Sequence, residues 1–271
     1  MAASATYIWT EEGEASDHTT DTFLLAGWFQ IPPFEEAADL QVFYAISDSE
    51  GMFYIDLAFR GGIIFLEVSI YDKPLRYSAS PVVVGGTAYL DDPPNHPYIQ
   101  GGWNSFAVSG RLSGQVIQYM VNRQLLDPSP LEWHSTGPIL IVAGNEWSVG
   151  PGRAPPGFAL SDWRFSYGEP FFDLSSPGNV ARLFGGGPVD WGPAGEFVTG
   201  LVPRVFLHGN SETYMDNLGS MGRFIRGDTM PLLDTPGPGY GVSGMSVVPQ
   251  TAQAIATSEG IVSVTTIERI S

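Results

Sequence analysis

Apolar residues in this chain recur at every second position more often than at every third or fourth, which is the period of strands and not of helices. Phe53, Ile55, Leu57 and Phe59 alternate with smaller or polar neighbours, Gly61-Gly62 turns the chain, and Ile64, Leu66, Val68 and Ile70 continue the alternation. Two opposed strands carrying four large apolar groups each predict a hairpin with one buried face. Residues 103–126, WNSFAVSGRLSGQVIQYMVNRQLL, predict another. Phe106 and Val108 lie on its first strand, 110–114 form the connection, and Ile117, Tyr119 and Val121 share a face of its second. Asn122-Arg123 marks the next reversal. A type I′ turn favours Asn-Gly there because both central residues need positive φ, so arginine implies a different turn or some strain.

Residues 23–31, FLLAGWFQI, place Phe23, Leu25, Phe29 and Ile31 on one face and Leu24 and Trp28 on the other. That is the pattern of a strand covered on both sides. Further strands are predicted at 6–10, at Val42, Tyr44 and Ile46, within 81–84, at 139–143, and at 158–167 with Trp163, Phe165 and Tyr167 aligned. The stretches 11–22, 127–138 and 145–157, and most of 72–102, read as loops, and 34–40 as one helical turn. About nine or ten short strands without a long helix predict an all-β fold, an antiparallel two-sheet jelly-roll sandwich.

Beyond the sandwich the period dissolves. Residues 169–209 are irregular and rich in glycine and proline, with a helical turn predicted at 179–184 and a strand at 203–208. The domain plan is a sandwich over 1–170, an irregular extension over 171–234 that packs on the sandwich or on neighbours, a Gly/Pro linker over 235–249, and a β arm over 250–271. The arm ends IVSVTTIERIS, β-branched but short of large side chains. It suits docking on a neighbour's sheet edge, or returning as a strand to its own sandwich.

Composition narrows the partners. The net charge of −17, from 12 basic and 29 acidic residues, argues against a nucleic-acid partner, which needs clustered Lys and Arg. With no cysteine, neither disulfides nor thiolate metal sites are available. The opening MAASATYIWTEEGEA has no basic region followed by an apolar one, and no apolar run reaches about 20 residues, so neither a secretory signal nor a membrane span is expected.

Three stretches carry a resemblance: the opening strand FLLAGWFQIP, the hairpin of 103–126, and the closing GFALSDWRFSYGEP. Together they resemble the LamG-like branch of the concanavalin A-like lectin/glucanase jelly rolls, although the tight Asn-Gly turn is replaced by Asn122-Arg123. A second similarity runs through Phe172-Asp173-Leu174-Ser175, Asn179, 182–184, Gly187-Pro188-Val189-Asp190, Gly192, Thr199-Gly200, Pro203, Phe206-Leu207, Gly209 and 217–224. This segment resembles one that follows a LamG-like sandwich in bacteriophage virion proteins. The two resemblances imply a non-enzymatic structural component of a tailed-phage particle, in tail, baseplate or head decoration. Such a protein would be made in the host bacterial cytoplasm and incorporated in the virion, with other virion proteins as partners and a homo-oligomer, a trimer among the options, as its form. Trp191 in the extension and Ile261, Val262, Val264, Ile267 and Ile270 in the arm are its candidate interface residues.

The chemistry points away from catalysis. Glucanases of this superfamily carry their carboxylates on one strand face, and Glu67 and Asp72 are an odd five residues apart, which sends them to opposite faces. His18, His96, His134 and His208 stand in no metal-ligand spacing, there is no G-x-S-x-G elbow, and 185–188 lack the lysine of a phosphate loop. Calcium is a candidate cofactor. The LamG resemblance suggests it, with Asp48 and Glu50 in the SDSEG turn, or Asp91 and Asp92 near Asn95, as ligands, against the simpler reading of solvated turns. The alternative function is a carbohydrate-binding module for host-surface glycans. Trp133, Trp147, Tyr89 and Tyr98, all read as loop residues, would stack on sugar faces or instead fill an interface. A degenerate glycosidase is a third reading.

Overall fold

Two antiparallel sheets and one short ladder account for the strands of the computed structural model, which describes residues 8–10, 16, 18–30, 40–47, 53–60, 63–71, 82–91, 103–126, 132–133, 138–141, 147–150, 159–209, 213, 216–226 and 238. In chain order the strands are β1 (Ile8–Thr10), β2 (His18–Thr20), β3 (Thr22–Gln30), β4 (Leu40–Ser47), β5 (Phe53–Arg60), β6 (Ile63–Tyr71), β7 (Val82–Asp91) and β8 (Trp103–Arg111). There follow β9 (Val116–Val121), β10 (Gln124–Leu126), β11 (Glu132–Trp133), β12 (Ile139–Ile141), β13 (Trp147–Gly150) and β14 (Ala159–Tyr167). The helix α1 (Pro177–Phe184) then precedes β15 (Val205–Leu207) and β16 (Phe224–Arg226). One sheet has the order β11-β7-β6-β5-β4-β13-β1-β16, the other β10-β9-β8-β3-β14-β15, and β12 pairs with β2 alone. The fold is an antiparallel two-sheet jelly-roll sandwich with an irregular extension.

Where alternation is strict, the ladder follows it. Phe53, Ile55, Leu57 and Phe59 face Ile70, Val68, Leu66 and Ile64 in register. The prediction that β3 is covered on both faces also holds, since every residue from Phe23 to Phe29 is buried. Phe23, Leu25 and Phe29 join Phe106, Val108, Tyr119, Trp163 and Phe165 on the sandwich side, each 0–3% exposed. Leu24, Ala26 and Trp28 face outward with Ala107 and Met120.

The extension covers that outward face. Phe172, Leu174, Leu183, Phe184, Trp191, Val198 and Phe206 all belong to the same buried cluster as Leu24, Ala26 and Trp28. A fully buried side chain of this size contributes about 1.5–3 kcal/mol, so the set fastens an otherwise irregular backbone. The sheet makes room for it with small outward residues at Ala26, Ser105, Ala107 and Ser109, cross-strand neighbours on β3 and β8. The extension also lengthens both sheets, because β15 pairs with β14 and β16 with β1. In α1, Pro177 opens the first turn, where a missing N–H costs nothing, and Gly185 ends the helix at φ 50°.

Several segments read as loops are strands. The ten-residue β7 replaces the short strand within 81–84, for Gly85-Gly86 in its middle removes the side-chain alternation while their backbone pairs with Ser69 and Val68. β2, β11 and β13 were hidden by their shortness, at two to four residues. The predicted helical turn at 34–40 lies mostly outside the described residues, and Leu40 already belongs to β4.

Candidate functional site

One turn shapes a concavity among the described residues. Asn122 and Arg123 join β9 to β10 with φ of 48° and 65°, so the two-residue type I′ geometry is kept with arginine in the position that favours glycine. Asn122 makes this tenable. Its Oδ1 accepts from the Ser105 amide at 3.0 Å, its Nδ2 donates to Asn104 Oδ1 at 2.7 Å, and its own amide donates to the Ser105 carbonyl at 2.9 Å. The Arg123 side chain then reaches across to the extension, where Nη1 donates to the Gly185 carbonyl at 2.8 Å.

Between this turn and the end of α1 lies a cleft of about 260 Å³. Trp28, Trp103 and Ser105 come to it from the outward face of β3 and β8, Asn122 and Arg123 from the turn, and Phe184 from the helix. The bare backbone of Gly186 and Gly187, then Pro188, forms the remaining wall, and Pro238 also lines it. Trp103 is half-buried and packs against the core cluster. Neither Gly186 nor Gly187 has a left-handed φ, and a Cβ at either would meet nothing within 4 Å. Packing therefore does not demand glycine there, whereas an open cleft does.

Aromatic rings run from this cleft across the back of the sheet. Trp28 meets Phe184 edge-on at 5.6 Å, Phe184 lies 6.4 Å from Trp191, and Trp191 6.2 Å from Phe206. Phe206 in turn stacks on His208 at 5.6 Å. His208 Nδ1 donates to Asp162 Oδ1 at 2.5 Å. Asp162 sits in a bulge of β14, at φ 51°, where the register with β3 shifts between Ser161 and Arg164. The bond to Asp162 raises the imidazole pKa, partial burial opposes it, and the charges of Asp162 and Asp190 add to the rise.

A third polar group lies wholly inside. Arg164 is inaccessible to solvent, and its guanidinium bonds Glu169, Ser166, Thr199 and the Gly195 carbonyl. Burial pulls its pKa below the usual guanidinium value while the Glu169 carboxylate pulls it back. This group ties β14 to the extension.

The structure redistributes the residues singled out from sequence. Trp133, Trp147 and Tyr89 are not loop residues but strand residues, paired with Val84, Ser47 and Phe65 respectively. Trp191 is corrected as an interface residue: it is 2% exposed, and its Nε1 donates to the Leu183 carbonyl at 2.7 Å within the chain. Asp91 ends β7 opposite Ile64. Asp48, Glu50, Asp92, Tyr98, Ile261, Val262, Val264, Ile267 and Ile270 lie outside the described residues. Among the described residues no group of three or more His, Asp or Glu could hold a metal, and no helix is long and apolar enough to cross a membrane. Register does pair Asp56 with Glu67 across β5 and β6, a juxtaposition that linear spacing concealed.

No family model and no curated protein matches the sequence. Among solved structures the chain is similar to the native heptameric SAP-like pentraxin from Limulus polyphemus, at 14% identity over 59% of this chain and 69% of that one, with a TM-score of 0.35. It is similar to the mouse laminin alpha1 chain, domains LG4-5, at 16% identity over 65% and 45%, with a TM-score of 0.34. The legume lectin-like domain from Entamoeba histolytica gives 14% identity over 56% and 77%, with a TM-score of 0.34. The chain thus spans less than half the length of the laminin chain it matches. The fold assignment stands on the sheet orders and registers above.

Proposed function

We propose that this protein binds a saccharide in the cleft between the Asn122-Arg123 turn and the end of α1, and that it acts by binding and not by turnover. The observation that carries the reading is the wall composition: Trp28 and Trp103 line the cleft together with a glycine backbone left open without any packing need. Sugar rings present apolar faces that stack on indoles and hydroxyls that take bonds from amide, hydroxyl and guanidinium groups, which Asn122, Ser105 and Arg123 supply. The volume is below the roughly 300–1,000 Å³ of drug-sized pockets, on the scale of one or two small rings. The described lining contains no carboxylate, whereas glycoside hydrolysis ordinarily uses two.

The test is a glycan array probed with the full chain. Binding that is lost in Trp103→Ala and in Gly187→Val, and kept in Trp133→Ala and Trp147→Ala, supports the cleft. A blank array, or measurable cleavage of a bound glycan, overturns it.

A structural role in a larger particle is the second reading, favoured by a different observation. Phe197, Leu201, Val202 and Leu218 on the extension are 40–58% exposed. Where such side chains gather into one patch they mark a contact surface. In this reading the assembly is the tailed-phage particle that the resemblance of 172–224 implies, and the cleft faces host-surface glycans. Phe197→Asp should then lower the assembled fraction in sedimentation at raised concentration, and an unchanged monomer for both proteins counts against it.

A further inference from the structure

We propose that the saccharide is anionic, with a uronate, sialate or sulfate oxyanion held by Arg123; this rests on the saccharide reading above. Arg123 is the charged residue among the described lining of the cleft. It occupies a backbone position, φ 65°, that favours glycine and disfavours a long side chain, so the turn alone does not account for it. Its side chain is exposed, yet it is aimed by the single bond from Nη1 to the Gly185 carbonyl. Nε and Nη2 have no partner among the described residues, and no described carboxylate pairs with the group.

That last point weighs more because of the chain's charge. With 29 acidic residues against 12 basic ones the surface is net negative, so a guanidinium that no described carboxylate neutralises makes the cleft a local exception open to an anion. A guanidinium held at one corner keeps a planar pair of donors for a planar or tetrahedral oxyanion, the geometry that arginine offers and lysine does not. The partner edge of the cleft is the bare backbone of Gly186 and Gly187, which lets a ring approach without meeting a side chain.

The array therefore carries four arms: neutral, uronate-containing, sialylated and sulfated glycans, each probed at about 50 and 500 mM NaCl. The expected result is binding confined to one or more anionic arms, weakened by salt as an exposed charge contact must be. Arg123→Gln should lose at least about ten-fold in affinity and Arg123→Lys less. Arg123→Gly, which suits the turn better, should lose binding while keeping the wild-type melting curve, which separates a ligand role from a folding defect. Neutral glycans bound as well as anionic ones, with Arg123→Gln unchanged, overturn the anion assignment and leave the saccharide reading standing. A blank array removes both.

Discussion

Arg164 and Glu169 form a two-pronged ion pair in which the arginine is wholly withdrawn from water, Nη2 lying 3.1 and 3.0 Å from the two carboxylate oxygens. The partners differ in exposure, for the Glu169 side chain keeps 12% of its surface. Removing one member of a buried pair leaves an uncompensated charge and costs about 3–5 kcal/mol. Glu169→Gln strands the arginine inside and should cost in that range. Arg164→Met leaves a carboxylate near enough to the surface to hydrate, and should cost less, about 1–3 kcal/mol. Urea unfolding of the two variants checks the order. Hydrogen exchange should also quicken around 192–200, where Arg164 holds the Gly195 carbonyl and Thr199.

Trp191 is predicted to matter to folding and not to association. Its indole lies between Phe184 and Phe206 and its Nε1–H is spent on the Leu183 carbonyl. Trp191→Ala removes a large buried ring and should destabilise the chain by about 3–5 kcal/mol. Trp191→Phe keeps most of the ring, orphans the carbonyl, and should cost about 1–2 kcal/mol. Thermal melts at two protein concentrations separate the cases. A loss that depends on concentration, with little change in a dilute sample, would return Trp191 to an interface.

Period-two strands were legible because every residue in them votes for the same face. The pairing of Phe53 with Ile70 and of Phe59 with Ile64 needed no more than alternation and a Gly-Gly turn. The double-sided burial of β3 was legible too, since Leu24 and Trp28 repeat the apolar signal on its second face. What covers that face was not. Phe172, Leu183, Trp191 and Phe206 reach it from irregular backbone rich in glycine and proline, where no period links one contact to the next. The cleft is harder still, because it gathers Trp28, Trp103, Arg123 and Gly186 from four separate segments. Of these only the arginine after Asn122 was visible as an anomaly. The structure shows that the turn type survives and that the positive φ is accepted.

Two groups give the stability a pH dependence of opposite sense. His208 has a raised pKa, so its contribution is fully present below the ordinary value of 6.5 and is lost as pH rises through the higher folded value. Asp173 has a lowered pKa, through bonds from the Ser175 hydroxyl, Gln118 Nε2 and the Ser175 amide. Its contribution is present above 3.8 and lost as pH falls through the lower folded value. Urea midpoints of wild type and His208→Gln should therefore differ most near pH 6 and converge toward pH 9. Those of wild type and Asp173→Asn should differ most near neutrality and converge in acid. A His208→Gln difference that widens with rising pH would contradict the bond to Asp162.

Asn217 is predicted to be the residue of the extension least tolerant of a one-atom change. Its Oδ1 accepts from the amides of Phe206 and Gly219 at 2.8 and 2.9 Å. Its Nδ2 faces the carbonyls of Met221, Arg204 and Gly222 at 2.6, 3.1 and 3.2 Å. Segment 217–222 is thereby locked onto β15 and the residues just before it. Asn217→Ala abandons both sets of partners, in a half-buried place where water reaches some of them, and should cost about 1–3 kcal/mol. Asn217→Asp keeps the two acceptor bonds but turns an anion toward three carbonyl oxygens. The folded pKa of the introduced carboxyl must rise above the ordinary ~3.9, since neighbouring acceptors favour the protonated form, which alone can donate to them. The Asn217→Asp variant should therefore be weaker than wild type at pH 7 and recover part of the loss as pH falls through that raised pKa. Parallel urea titrations at pH 4.5 and 7 of wild type and both variants read this directly. A deficit in Asn217→Asp that is the same at both pH values would show that the side chain does not face those carbonyls.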